Sequence, residues 1–273
     1  MSTEPAHFRL IEGGAFMPTP FALSRWGDGQ LNGPAVVGLA AQALENHCGS
    51  EDFMPTRFTA DLFRAARNAP TAIDVRVVRD GRRVRSAECD VMQDGRTVAR
   101  ATLVQYRRSS APPGRQWTAP NSLVQPPPPD DQILPHVGSN DAGWTRSPAA
   151  HQNDSRKYFY HDAIKVREGE ENSPFVRAVV IAEATSLVTN LGTHGIGYIN
   201  GDLTAAFSRL PVDDWIGVQA DSHWASDGIS VGTATLFDHL GGFGSGVVTA
   251  VANPAAQIDF SRGVTPLKGL NYE

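Results

Sequence analysis

Residues 58–64 read FTADLFR and residues 203–209 read LTAAFSR, 145 positions later, and the segments around each keep nearly that spacing. Upstream, residues 34–41 (PAVVGLAA) fall on residues 179–186 (VVIAEATS) at the same offset, which sets Glu183 opposite Gly38. Downstream the offset becomes 147 and holds: Gly81, Val84, Ala87, Thr102 and Val104 match Gly228, Val231, Ala234, Thr249 and Val251. A slip confined to one hairpin is what a turn insertion leaves behind, because turns absorb length changes that strands do not. The chain reads as a duplicated domain, and its fold must be one that accepts a second copy of itself.

Each half has the same plan. In the first, residues 7–10 and 20–25 read as short strands, WGDGQLNG as a glycine-rich turn, and residues 34–46 as a helix that Pro34 opens, since its missing N–H would have had no intrahelical partner there. Residues 57–67, 72–79, 82–93 and 97–107 follow as strands, and Asp-Gly pairs at 80–81 and 94–95 predict tight hairpins. The second half repeats this with strand 159–167, helix 175–190 and strands 198–209, 215–223, 229–238 and 244–253. Val36, Val37, Leu39, Ala40, Ala41 and Leu44 leave the first helix apolar on most sides, as expected of a helix enclosed by a curved antiparallel sheet. The predicted class is α+β.

Between the halves, residues 109–156 carry four consecutive prolines at 126–129, which favour an extended spacer unable to enter a sheet interior. The expected organisation is therefore residues 1–108, a linker 109–156, and residues 157–273. Trp117, Leu123, Val124, Ile133, Leu134 and Trp144 predict that the linker lies against the domains.

With 41% hydrophobic residues the chain can build a full core, and a formal charge of -5 argues against a nucleic-acid surface. Cys48 and Cys89 stand outside any CxxC or Cys/His cluster, so neither a metal nor a disulfide framework is expected, and no cofactor motif occurs. MSTEPAHFRL lacks the basic head and apolar stretch of an export signal, and no apolar run reaches membrane-spanning length. The expectation is a cytoplasmic protein without a membrane partner.

GQLNG before the first helix, HGIGY at 194–198, YINGDLTAAFSR at 198–209 with Trp215 beyond it, and GSGVVTAV at 244–251 together resemble the double-hotdog acyl-CoA thioesterases, in particular the acyl-CoA thioesterase II type and its actinobacterial thioesterase-like relatives. The resemblance covers both halves. It implies two tandem hotdog folds packed as an intrachain pseudo-dimer, an acyl-CoA or acyl-thioester substrate, and room for assembly into a homo-oligomer. It also implies three catalytic side chains from the second hotdog: an acid on the central helix, a hydroxyl on the next strand and a glutamine on a later one. The acid position, eleven residues before His194, falls on Glu183; the hydroxyl position falls on Asn200 and the glutamine position on Val247.

Thioester hydrolysis without a covalent intermediate needs a carboxylate base, a partner that aims the water, and N–H donors where the oxyanion develops. Glu183 is the sole acid in residues 178–191 and would have its charged form disfavoured in an apolar helix; the competing reading is a solvated helix face. Asn200 can aim water or simply serve a turn before Gly201. Val247 cannot orient water, so Thr249, two residues along and expected on the same face, is the substitute, against an ordinary strand threonine. Asn32 and Gly33 lead into a helix N-terminus suited to the oxyanion. His194 is a titratable group beside the expected substrate site, and Arg64, Arg67, Arg107, Arg108 and Arg209 are candidates for CoA phosphates. Val247 keeps open a non-hydrolytic acyl-thioester binding protein, and hydration of an enoyl thioester ranks behind it because neither helix pairs His with Asp.

Overall fold

The computed structural model describes residues 5–118 and 122–262. The readings made for residues 1–4, for linker residues 119–121 and for the tail 263–273 fall outside these. In the N-terminal half, strands β1 (Ala6–Leu10) and β2 (Phe16–Pro18) precede helix α1 (Gly33–Cys48), followed by β3 (Phe53–Leu62), β4 (Ala72–Asp80), β5 (Val84–Gln93) and β6 (Arg96–Arg107). The expected strand at 20–25 is instead a single 3-10 turn, Pro20–Ala22. Thr19 accepts the Phe21 N–H and Pro20 presets the first helical φ, so the local cap outweighs the apolar run.

The C-terminal half begins with a hairpin, β7 (His136–Ser139) and β8 (Gly143–Thr145), then β9 (Lys157–Asp162) and β10 (Lys165–Arg167). Helices α2 (Pro174–Ala182) and α3 (Ala184–Asn190) come next, then β11 (Leu191–Gly192), β12 (Gly195–Ile196), β13 (Tyr198–Asn200), β14 (Asp202–Phe207), β15 (Trp215–Ser226), β16 (Ile229–Asp238) and β17 (Gly241–Ala252). The predicted helix 175–190 is thus two segments meeting at Glu183. The Ser186 N–H reaches Glu183 O at 3.0 Å, and Thr189 Oγ1 and Asn190 Nδ2 donate back to the carbonyls of Thr185 and Ser186. Such side-chain competition for helix carbonyls bends helices.

One antiparallel sheet runs β4-β5-β6-β3-β14-β17-β16-β15-β9-β7-β8, with β13 also on β17. The halves meet where β3 pairs β14, and there Thr59 faces Thr204, its own counterpart in the repeat. Phe58 faces Ala205 and Leu203 faces Ala60, so the pseudo-two-fold axis passes through the threonine pair. Duplication thus turns what would be a sheet edge into a continuous ladder. The linker's prolines stay out of the sheet, but its later part does not: β7 pairs β9 and extends the edge of the C-terminal half.

Both helices lie in the concavity. Phe58, Leu103, Phe175, Leu203, Ile216 and Leu236 are fully buried around them. Asn32 caps α1 through the Ala35 N–H and Ser173 caps α2 through the Val176 N–H. These caps are 141 residues apart, not 145, so the extra residues lie between helix and strand and the cap-based counterpart of Glu183 is Gln42 rather than Gly38. Gly232 and Gly246 let α3 sit close on the sheet, for a β-carbon at either would lie 2.2 Å from Thr189 Oγ1 or 2.1 Å from Thr185 Oγ1.

Candidate active site

Each helix brings a glutamate to the other half. Glu45 of α1 accepts the hydroxyl of Ser173, the cap of α2. Glu183, at the α2–α3 junction, lies against the first residue of α1: a β-carbon on Gly33 would fall 2.0 Å from Glu183 Oε1. A carboxylate at a helix N-terminus meets the positive end of the helix dipole, which favours its charged form. Glu45 was not picked out by sequence, because its partner is 128 residues away.

Only Glu183 of the two opens onto the cavity of about 840 Å³ at the junction of the halves. Phe159, Ile164, Val180 and Leu187 give it an apolar wall, Phe21, Asn32 and Pro34 come from the N-terminal half, and Ile133, Leu134 and Pro135 of the linker close one side. Burial pushes the Glu183 carboxyl up to about 7 from an ordinary 4.5, with the Asn200 hydrogen bond pulling the other way. Asn200 Nδ2 donates to Glu183 Oε1 at 3.3 Å and to Asp202 O at 3.2 Å, while Asn200 Oδ1 accepts from Ser186 Oγ at 3.1 Å. This Glu183–Asn200–Ser186 chain fixes the carboxylate rotamer and leaves it titratable near neutrality. Ser186 was missed in the sequence because its helical position alone does not reveal which strand it faces.

Asn32 and Gly33 share the N-terminus of α1 but not the same duty. The Asn32 side chain is consumed by the fold: Oδ1 accepts from Ala35 N at 2.8 Å and Nδ2 donates to the carbonyls of Phe21 and Leu23. The Asn32 N–H is also taken, by Ala22 O. Gly33, in the first turn of α1, has no intrahelical acceptor for its N–H, and none is found for it among the described residues. That donor stands beside Glu183, where a helix N-terminus favours developing negative charge.

The remaining sequence-picked residues do not join the site. Along β17, Gly246, Val248 and Ala250 are buried against the helices, while Val247 and Thr249 lie on the opposite face. Thr249 is exposed and bonds Asp202 through its N–H at 2.7 Å and through Oγ1. The face that meets the helices is set by the register of β17 against its neighbours, in which Gly246 pairs Ala205 and Val247 pairs Thr204. Facing Asn200 across the ladder is Ala250, so the inward positions 246, 248 and 250 carry no glutamine. His194 is exposed in the turn between β11 and β12 and borders a separate groove of about 560 Å³ with His223 and Lys157.

The arginines are placed differently from the expectation as well. Arg209 is clamped to Asp238, with both contacts at 2.6 Å, and Arg107 pairs with Asp52 at 3.2 Å. Arg25 and Arg146 line the Glu183 cavity instead. Arg146 is held by Leu134 O, Asp130 and His136, and Arg25 lies 5.5 Å from the ring centroid of Phe260.

The chain matches a family model described as the acyl-CoA thioesterase N-terminal domain over residues 22–106 and one described as its C-terminal domain over residues 109–246. Among solved structures it is similar to a Thermobifida fusca protein designated thioesterase II, at 17% identity and a TM-score of 0.68, covering 91% of this chain and 96% of the other. It is also similar to the acyl-CoA thioesterase II TesB2 from Mycobacterium marinum, at 15% identity and a TM-score of 0.64, covering 90% and 94%. A hot dog fold protein from Alicyclobacillus acidocaldarius matches at 14% identity and a TM-score of 0.60, covering 89% and 94%. These likenesses establish the tandem hotdog architecture. Among curated protein sequences, none matches this chain.

Proposed function

The chain belongs to the acyl-CoA thioesterase family, and from that premise we propose that it hydrolyses acyl-CoA or a related acyl thioester with Glu183 as general base. The observation that carries the reading is the placement of a carboxyl pushed up to about 7 on the wall of a largely apolar cavity, against the Gly33 N–H of a helix N-terminus, which meets no acceptor among the described residues.

In this scheme the ionised Glu183 takes a proton from a water molecule whose oxygen attacks the thioester carbonyl carbon. The carbonyl π electrons move onto oxygen, where the Gly33 N–H opposes the growing charge. Collapse of the tetrahedral adduct breaks the C–S bond, the sulfur takes a proton from Glu183, and a free acid and a thiol result. Asn200 holds the carboxylate in line, its own amide fixed by Ser186 and Asp202. Two thiols without disulfide partners among the described residues fit the reducing cytoplasm.

A second reading is favoured by one observation: no inward position of β17 from 246 to 250 carries the glutamine that the resemblance implies. In that reading the cavity holds an acyl thioester without cleaving it. Thiol release from acyl-CoAs of graded chain length, measured with a thiol reagent for the wild type and Glu183→Ala, separates the two. Hydrolysis predicts release that the substitution removes; equal background release from both proteins would leave the binding reading.

A further inference from the structure

Leu187 and Leu191 follow one another by about one turn along α3, yet they meet different surroundings. Leu187 lines the Glu183 cavity together with Ala184. Leu191 is buried in a small apolar cluster with Ile196 and Phe260, apart from the main core. Phe260, in the 3-10 turn Phe260–Arg262, belongs to both places: it lines the cavity, is 8% exposed, and packs among Leu187, Trp26, Ala149 and Ile258. The space that runs from Glu183 along α3 therefore stops at the Phe260 ring, with Leu191 and Ile196 buried behind it. Arg25 lies over the same ring, 5.5 Å from its centroid, and helps to hold it in place.

The ring arrives on residues 253–262, and the HGIG sequence at 194–197 is what seats them. Ile196 and Ile258 exchange both backbone hydrogen bonds, at 2.9 and 3.0 Å, and the Asn253 N–H donates to Gly197 O at 2.8 Å. Gly195 has a φ of +88°, and a β-carbon there would lie 1.9 Å from Ile258 O, so the two backbones approach only because the residue is glycine. Gln152 pins the other side: its Nε2 donates to Asp259 Oδ1 at 3.0 Å, and its Oε1 accepts the Phe260 N–H at 2.6 Å. Gly195 and Gly197 themselves border the separate groove with His194 and not the Glu183 cavity, so they reach that cavity only through the segment they carry.

We propose that Phe260 limits the length of hydrocarbon the Glu183 cavity accepts, and that Gly195 is a positioning residue that acts through it. The proposal rests on the acyl-thioester reading of the same cavity and adds its size determinant. A hydrocarbon gains from each methylene it buries, and a methylene pressed against a packed ring gains nothing. Leu187, Pro148 and Phe260 supply the apolar surface at this end.

The test uses S-alkyl-CoA thioethers of graded chain length, which are not cleaved, so that it reads binding independently of hydrolysis. Dissociation constants are measured by calorimetry on the full chain. Wild-type affinity is expected to rise about fourfold per added methylene up to a limit and to rise no further beyond it. Phe260→Ala should move that limit outward by about two methylenes or more, and Phe260→Trp should move it inward. Gly195→Ala should shift it in the same direction as Phe260→Ala, and adding Gly195→Ala to Phe260→Ala should shift it no further. A limit that stays put in both Phe260 variants overturns the proposal, as does a uniform loss of affinity at every length, which would mark the ring as ordinary packing. An unmoved limit in a folded Gly195→Ala overturns the positioning role. Thiol release abolished by Glu183→Gln beside an immovable limit would leave the enzyme reading standing and this one lost; a limit that follows Phe260 in a protein that releases no thiol would do the reverse.

Discussion

Gly33 and Glu183, 150 residues apart in the chain, approach so closely that a β-carbon on the glycine would lie 2.0 Å from the carboxylate oxygen. The site therefore spans the two halves: the N-terminal half supplies a helix N-terminus and the C-terminal half the acid. Gly33→Ala is expected to force the carboxylate aside and lower kcat by about tenfold or more, because misplacing a catalytic group by an ångström is enough for that. Steady-state kinetics beside a thermal melt make the check, and a variant with wild-type kcat would remove Gly33 from the site.

Glu183→Gln keeps the side-chain shape but cannot take a proton. Its kcat/KM is expected to fall by about 10²–10⁴-fold, with ligand affinity held. In the wild type, activity should rise with pH through about 7, since the carboxyl must ionise to act. A pH–rate profile flat between pH 5.5 and 8.5 would contradict this.

Asn200 donates to Glu183 and holds its pKa below where burial alone would place it. Asn200→Ala should move the midpoint of the same profile to higher pH and lower the plateau, whereas a residue that serves only the turn at Gly201 would leave the midpoint alone.

Val247→Gln, Thr249→Ala and His194→Ala change side chains that the fold places away from the Glu183 cavity. Each is expected to leave kcat/KM within about twofold, as is usual for substitutions remote from the reacting atoms. A large loss in any one would return that residue to the site.

The raised Glu183 pKa has a sign for stability. The native state keeps a proton that the unfolded chain has lost, so this group's contribution is complete below its ordinary 4.5 and is lost as pH rises to about 7, on the order of 3 kcal/mol in all. Urea unfolding at pH 5 and pH 8 should show the stability of Glu183→Gln minus that of wild type growing with pH; His7 and His161 act in the opposite direction between 6.5 and about 4, but equally in both proteins.

Much of the fold was legible because it depends on short-range patterning. The FTADLFR and LTAAFSR repeats marked the two strands that pair at Thr59 and Thr204, the Asp-Gly pairs marked hairpins, and Pro34 marked the start of α1. Glu183 and Asn200 were also legible, the one as a lone acid in an apolar helix and the other from its motif. Val247 and Thr249 were picked from the resemblance and do share a face, but which face of β17 meets the helices is fixed by pairing with distant strands, which no local pattern announces.

What the amino-acid order alone determined was a twinned sheet wrapped on two apolar helices with one acid between them, since periodicity, caps and turns act over a few residues. Which groups meet that acid was decided only in three dimensions. Gly33, Asn200, and the cavity lining at Phe21, Phe159 and the linker wall Ile133–Pro135 come from five separate stretches of chain, gathered around Glu183 as the two halves pack together. That convergence is a matter of long-range packing, in which a small shift of register or one helix bend at Glu183 selects the partners, and no run of neighbouring residues encodes it.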